Sequence, residues 1–145
     1  MQSVFKLLNK KIQDYLQSQG IVEPTEPQKK SFEHLIKGEN ILLIAPTGLG
    51  KTESALLPIF HNFLRLKEEK PEIFDKNKKG FFILYITPLR ALNRDMLRRT
   101  IEMGKKLGIE ISVRHGDTSQ SQHPSQSRNP PDMLITTPET FQILF

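Results

Sequence analysis

The sequence of 145 residues contains no cysteine, so neither a disulfide framework nor a thiolate metal or redox site is available to it, and a secreted mini-protein is excluded. Its four histidines are scattered and offer no ligand spacing for a metal. Long apolar runs are also lacking. The longest, residues 41–45 and 81–86, fall far short of the ~18 residues that cross a bilayer. Lys6, Lys10 and Lys11 interrupt the N-terminus before a signal-peptide stretch builds up. These absences lead to the expectation of a cytoplasmic chain with no membrane partner.

What remains is an ordinary globular composition, 37% hydrophobic and 26% charged, too apolar for a disordered chain and long enough for about one domain. Twenty-one Lys and Arg against sixteen Asp and Glu give a net charge of +5, which permits a polyanionic partner without demanding one. Apolar residues at Val4, Phe5, Leu8, Ile12, Tyr15 and Leu16, between Ser3 and Gly20, predict an amphipathic helix over 4–19. A second helix is predicted from Thr25 to Lys37, with Phe32, Leu35 and Ile36 inward. The short apolar run 40–45 beside a glycine loop predicts a strand buried on both faces. Residues 52–70 are helical in pattern, with a bend expected at Pro58.

Further strands are predicted at 81–87, 109–114 and 133–137. A long helix over 89–107 is expected to bury Leu89, Leu92, Met96, Met103 and Leu107, and Pro138 opens a last helix. Strands alternating with helices imply parallel βαβ units, hence an α/β sheet with helices on both faces. Two stretches, 67–79 with mixed charges and 118–131 rich in Ser, Gln and Pro, read as flexible connections.

The strongest chemical signal is Ala45-Pro46-Thr47-Gly48-Leu49-Gly50-Lys51-Thr52, set between the predicted strand and a helix. Gly48 and Gly50 let the backbone wrap until its N–H groups and the helix N-terminus converge on a phosphate. Lys51 would reach the β- and γ-phosphates, and the Thr52 hydroxyl would complete the oxygen shell of Mg²⁺. Ala45 departs from the usual glycine at the first position. The competing reading is a tight turn with an exposed lysine. Kinases, GTPases, transporters and helicases all use such a loop, so it does not by itself define a reaction.

Three flanking runs narrow the choice. Gly20-Ile21, Glu23-Pro24-Thr25 and Gln28 place a glutamine amide, a paired donor and acceptor suited to an adenine edge, ahead of the loop; Thr25 and Gln28 equally spell a helix capping box. Thr87-Pro88-Leu89-Arg90-Ala91-Leu92 closes the second strand, followed by Arg90, Arg94 and Arg98 at four-residue spacing, which as a solvated face would include an Arg98 to Glu102 pair. Ile135-Thr136-Thr137-Pro138-Glu139 ends another strand, where Thr137 and free amides suit a backbone phosphate, or where Thr137 is simply an N-cap before a first-turn proline.

In order and spacing these runs resemble the first RecA-like motor domain of superfamily-two DEAD/DExH helicases over residues 20–145. Thr87 to Asp95, Arg114-His115-Gly116-Asp117-Thr118 and Leu134 to Thr140 look most like the large helicase-related (Lhr) family. The resemblance implies a P-loop NTPase fold, ATP with Mg²⁺, and single-stranded or duplex DNA or RNA as the partner on which ATP drives translocation and unwinding. It assigns the nucleotide to Gln28, Thr47, Gly48, Leu49, Gly50, Lys51, Thr52 and Glu53, with Lys51 and Thr52 catalytic and Thr52 on the metal. Leu49 departs from the small polar residue that relatives often carry there. The nucleic acid falls to Pro88, Arg90, Gly116, Thr137 and Pro138.

Hydrolysis needs an acidic pair at a strand end to hold Mg²⁺ and position water, and no predicted strand closes on one. The expectation is therefore an N-terminal portion of a motor domain, 1–20 a leading helix and 21–145 the motif-bearing part, with the acidic motif and second motor domain in missing C-terminal segments. Phe141, Ile143, Leu144 and Phe145 would then expose apolar surface or pair with another copy. The rival readings are a binding fragment without turnover and, less favoured, a small P-loop kinase, for which 118–131 lacks an arginine-rich lid.

Overall fold

Local propensity is realised in two separate units of the computed structural model, Met1–Phe74 and Asp75–Phe145, with residues 3–75, 80–116 and 130–144 described. Residues 76–79 and 118–129 of the two predicted connections, together with Asp117, Thr118 and Phe145, lie outside the described residues.

In the first unit the predicted leading helix divides. A 3₁₀ turn at Val4–Leu7 ends in extended backbone at Leu8, and helix α1 (Lys10–Ser18) starts afresh. The cause is Asn9, a strong N-cap, whose Oδ1 accepts the Lys11 N–H at 2.9 Å. Phe5, Leu8, Ile12 and Leu16 are still buried, so the hydrophobic period survives the break. Helices α2 (Glu26–Ile36) and α3 (Lys51–Glu69) complete the unit and supply Phe32, Leu56, Leu57, Phe60, Phe63 and Leu64 to its core. The ring of Phe5 lies 6.1 Å from that of Phe32. Helix α3 runs on through 67–69, as the helical pattern over 52–70 predicts and against the connection read over 67–79, before a 3₁₀ turn at Pro71–Phe74 sets Phe74 edge-on to Phe63 at 5.2 Å.

Pro58 lies inside α3 and is buried. Its missing N–H leaves the Ser54 carbonyl without the usual donor four residues on. The Ser31 hydroxyl of α2 donates to that carbonyl at 3.4 Å, and Asn62 Nδ2 donates to the Leu35 carbonyl at 3.0 Å, so the two helices are joined by hydrogen bonds as well as by apolar packing.

The strand predicted at 40–45 does not form. Residues 41–46 have no ladder partner, and Leu42 and Ile44 are 86% and 85% exposed. An apolar run becomes a strand only beside another, and the three strands of the described residues all lie in the second unit.

There β1 (Ile83–Ile86), β2 (Ile111–Arg114) and β3 (Met133–Thr136) form a parallel sheet in the order β1-β3-β2. Met133 stands opposite Ile83 and Ile111, and Thr136 opposite Ile86 and Arg114. All four residues of the central strand are buried, as expected for an apolar strand flanked on both sides. Helix α4 (Arg94–Leu107) packs on β2 and approaches closely at Gly104, where a side chain would collide with Ile111 and the Ile109 carbonyl. The predicted helix over 89–107 is corrected: Leu89–Ala91 is a 3₁₀ turn, and α4 begins only after Asn93, whose Oδ1 accepts the Met96 N–H at 2.8 Å. Leu89 is accordingly 54% exposed rather than part of the buried stripe, which Met103 and Leu107 do form. A last helix, α5 (Pro138–Leu144), follows β3, with Ile143 exposed as expected. Among the described residues no helix is long and apolar enough to cross a membrane.

Ser31→Ala leaves the buried Ser54 carbonyl without its donor. The expected outcome is a loss of about 1–2 kcal/mol, read as a lower denaturant midpoint at unchanged slope; an unaltered midpoint would show that the carbonyl finds another partner.

Candidate functional site

The phosphate loop is shaped by two glycines. Gly48 has φ 86° and Gly50 has φ 68°, left-handed values that cost an L-residue free energy. Gly50 is the N-cap of α3, with no side chain to accept from the first-turn amides, so the N–H groups of Lys51, Thr52 and Glu53 carry the positive end of the helix dipole at the loop. Lys51 is exposed on that first turn, and Thr52 and Glu53 are half-buried beside it.

Two carbonyls of the loop are turned back into the protein. The Leu49 carbonyl accepts the Thr25 hydroxyl at 2.9 Å, and the Gly50 carbonyl accepts both the N–H (2.9 Å) and the hydroxyl (2.8 Å) of Ser54. In a trans peptide the N–H points opposite to the C=O, and there are no cis bonds among the described residues. Holding these carbonyls inward therefore turns the Gly50 and Lys51 amides outward, the orientation an anion requires.

Gln28 is 6% exposed and sits behind this loop. Its Oε1 accepts the Thr25 N–H at 3.0 Å, which makes the capping box real. Its Nε2 lies 2.8 Å from where a Gly50 Cβ would stand. Gln28, Thr25, Leu49 and Gly50, separated by more than twenty residues of chain, thus meet at one point. Sequence reasoning placed Thr25 in the glutamine run and as a cap, without its bond to the loop, and passed over Ser54; the available signal for Ser54 was a serine four residues after a loop glycine, placed to bond back to its carbonyl.

In the second unit the nucleic-acid candidates come from distant parts of the chain. Because the strands are parallel and in register, their carboxyl ends share one edge of the sheet, which brings together Pro88 and Arg90 after β1, Gly116 after β2, and Thr137 and Pro138 after β3. Pro88, Arg90, Gly116 and Pro138 are exposed. Thr137 is 3% exposed, and its hydroxyl donates to Thr140 Oγ1 at 3.0 Å and accepts the Thr140 N–H at 3.3 Å, so the side chain serves as the cap of α5. Arg90 lies on the 3₁₀ turn and does not continue the α4 face of Arg94 and Arg98. Arg98 is engaged by Asp95 at 3.2 Å and Glu102 at 3.8 Å on exposed surface, pairs worth little in water.

No group of three or more His, Asp or Glu that could hold a metal occurs among the described residues. Thr52 offers a hydroxyl oxygen beside the loop lysine, which fits a cation whose other ligands come from a bound phosphate and water.

A glycine loop at a helix N-terminus together with a parallel sheet defines a nucleotide-binding α/β protein. A family model described as DEAD/DEAH box helicase matches residues 25–145, and the chain belongs to that family. It is 32% identical to the ATP-dependent helicase Lhr-Core of Methanocaldococcus jannaschii, over an alignment covering 98% of this chain and 18% of that protein. Identity to the ATP-dependent helicase Lhr-Core of Sulfolobus acidocaldarius is 39%, covering 82% of this chain and 14% of the relative. Among solved structures, helicase Lhr of Mycobacterium smegmatis bound to ssDNA and AMP-PNP matches with a TM-score of 0.78 and 28% identity, covering 99% of this chain and 18% of that one. The chain thus spans less than a fifth of the length of each of these relatives.

Gly50→Ala places a Cβ on a left-handed residue and against Gln28. The expected cost is roughly 1–3 kcal/mol of stability in chemical denaturation; a variant as stable as the parent would mean that the loop relaxes out of this conformation freely.

Proposed function

We propose that the chain is the ATP-binding segment of an ATP-dependent helicase of the Lhr kind, residues 1–145 forming the N-terminal portion of its first RecA-like motor domain and working in the cytoplasm. The observation that carries this reading is the loop whose carbonyls are held inward by Thr25 and Ser54 while the amide end of α3 faces out. In this reading Thr47, Gly48, Leu49 and Gly50 wrap the phosphates and Lys51 neutralises their charge. Glu53 lies against the same turn. Gln28 keeps one amide edge for adenine, since its oxygen has a second lone pair and its nitrogen two donors. Thr52 would hold Mg²⁺, which when bound screens the charge on the transferred phosphate.

At the carboxyl edge of the sheet, Arg90 would grip a nucleic-acid phosphate, the turns at Pro88, Gly116 and Pro138 would bring backbone close to the strand, and Thr137 would act by holding the start of α5 in place. Among the described residues no strand ends on the acidic pair that positions the attacking water, and in this reading residues 1–145 bind ATP while turnover needs that pair. Full activity belongs to the longer protein, in which ATP hydrolysis moves the motor along DNA or RNA.

Calorimetric titration of Mg-ATP into the parent chain and Lys51→Ala tests the reading. The parent should bind saturably and the variant roughly ten- to a hundredfold more weakly, the loss of a charge-assisted contact. Equal affinities would overturn the assignment of Lys51, and phosphate transfer to a small acceptor would favour the kinase reading instead.

A further inference from the structure

His61 lies in the middle of α3, ten residues after Lys51 and so about 15 Å from the loop along the helix. Its Nδ1 accepts the backbone N–H of Asn9 at 2.8 Å. Asn9 is the hinge of the leading segment, the residue that ends the 3₁₀ turn and caps α1 through Lys11. Its side chain also reaches α3, donating from Nδ2 to Glu68 Oε1 at 3.2 Å. Asn9 thus joins the leading segment to α3 by two hydrogen bonds, the shorter of them made to an imidazole nitrogen. An N–H donor is accepted only by a ring nitrogen that carries no proton.

We propose that His61 is a proton-operated latch: neutral, it fastens residues 4–18 to the phosphate-loop helix through Asn9, and protonated at Nδ1 it releases them. Phe5, Leu8, Ile12 and Leu16 are buried apolar side chains indifferent to pH, so release loosens the segment without unfolding the unit.

The surroundings set the direction. Burial, and secondarily the charge of Arg65, hold the His61 pKa below its ordinary 6.5, against an upward pull from Glu68. From α1 and the 3₁₀ turn the ring meets the neutral amide of Asn9. The ion pairs of the neighbouring helices, Lys10 with Asp14, Lys29 with Glu26 and Lys37 with Glu33, are exposed and internally balanced. His34, on α2, is occupied by Glu39 at 2.7 Å. Because the docked state prefers the neutral ring, docking is complete above pH 6.5 and is lost as pH falls below it through the lowered value.

Hydrogen exchange of the amides of 9–18, corrected for intrinsic rates, tests this on the whole chain between pH 7.5 and 5. The parent should lose protection about fivefold on acidification, the equilibrium worth of one hydrogen bond. His61→Asn, whose Oδ1 stands near the Nδ1 position but does not titrate, should keep protection at both ends of the range. His61→Leu should show the reduced level throughout. Parallel losses in the parent and His61→Asn, or no loss in the parent, would overturn the latch. Should a variant fail to fold, the parent decides alone: the Asn9 amide resonance and the His61 imidazole must titrate with one midpoint, and separate midpoints reject the proposal.

Discussion

The peptide between Leu49 and Gly50 is the constraint on which the proposed nucleotide site depends. Its carbonyl is tied to the Thr25 hydroxyl, the next carbonyl is tied to Ser54, and Gly50 itself holds a left-handed φ of 68° with the Gln28 amide close against it. Each contact alone is worth on the order of 1 kcal/mol. Together they orient two adjacent peptide planes before any ligand arrives, which removes an entropic cost from binding. They also make the start of α2 and the start of α3 a single device, since the residue that caps one helix braces the loop that opens the other.

The remainder of the first unit serves to keep those two helix starts in place. Pro58 would weaken α3 at its third turn, and the orphaned carbonyl it creates is met from α2 by Ser31, so a local defect becomes a tie between the helices. Phe32, Phe60, Leu56 and Leu57, almost fully buried, supply the non-directional part of the same contact. The leading segment is fastened differently, by an apolar stripe and by the bonds of Asn9 to His61 and Glu68.

Parallel pairing does for the second unit what hydrogen-bonded caps do for the first. Residues near positions 88, 116 and 137 have no local reason to meet, yet three strands running the same way in register must deliver their following turns to a common edge. The result is a row of short turns with exposed proline, glycine and arginine along one end of the sheet.

The sequence by itself determined helices α2, α3 and α5, the parallel strands of the second unit, the glycine loop at the start of α3 and the family, because amphipathic period, capping residues and glycine placement act over a few neighbouring residues. It also contained Thr25 and Gln28 as a capping box, and that box forms. Only the tertiary structure decided that Thr25 braces Leu49, that Thr137 spends its hydroxyl on Thr140, and that Asn9 splits the first helix while docking on His61. The run 40–45 shows why: its composition suits a strand, but strand identity resides in a partner's hydrogen bonds, and no residue carries that information alone. Likewise the exposure of Leu89 follows from a cap at Asn93 that outcompeted an unbroken helical period, a contest between two local signals of similar size that packing settled.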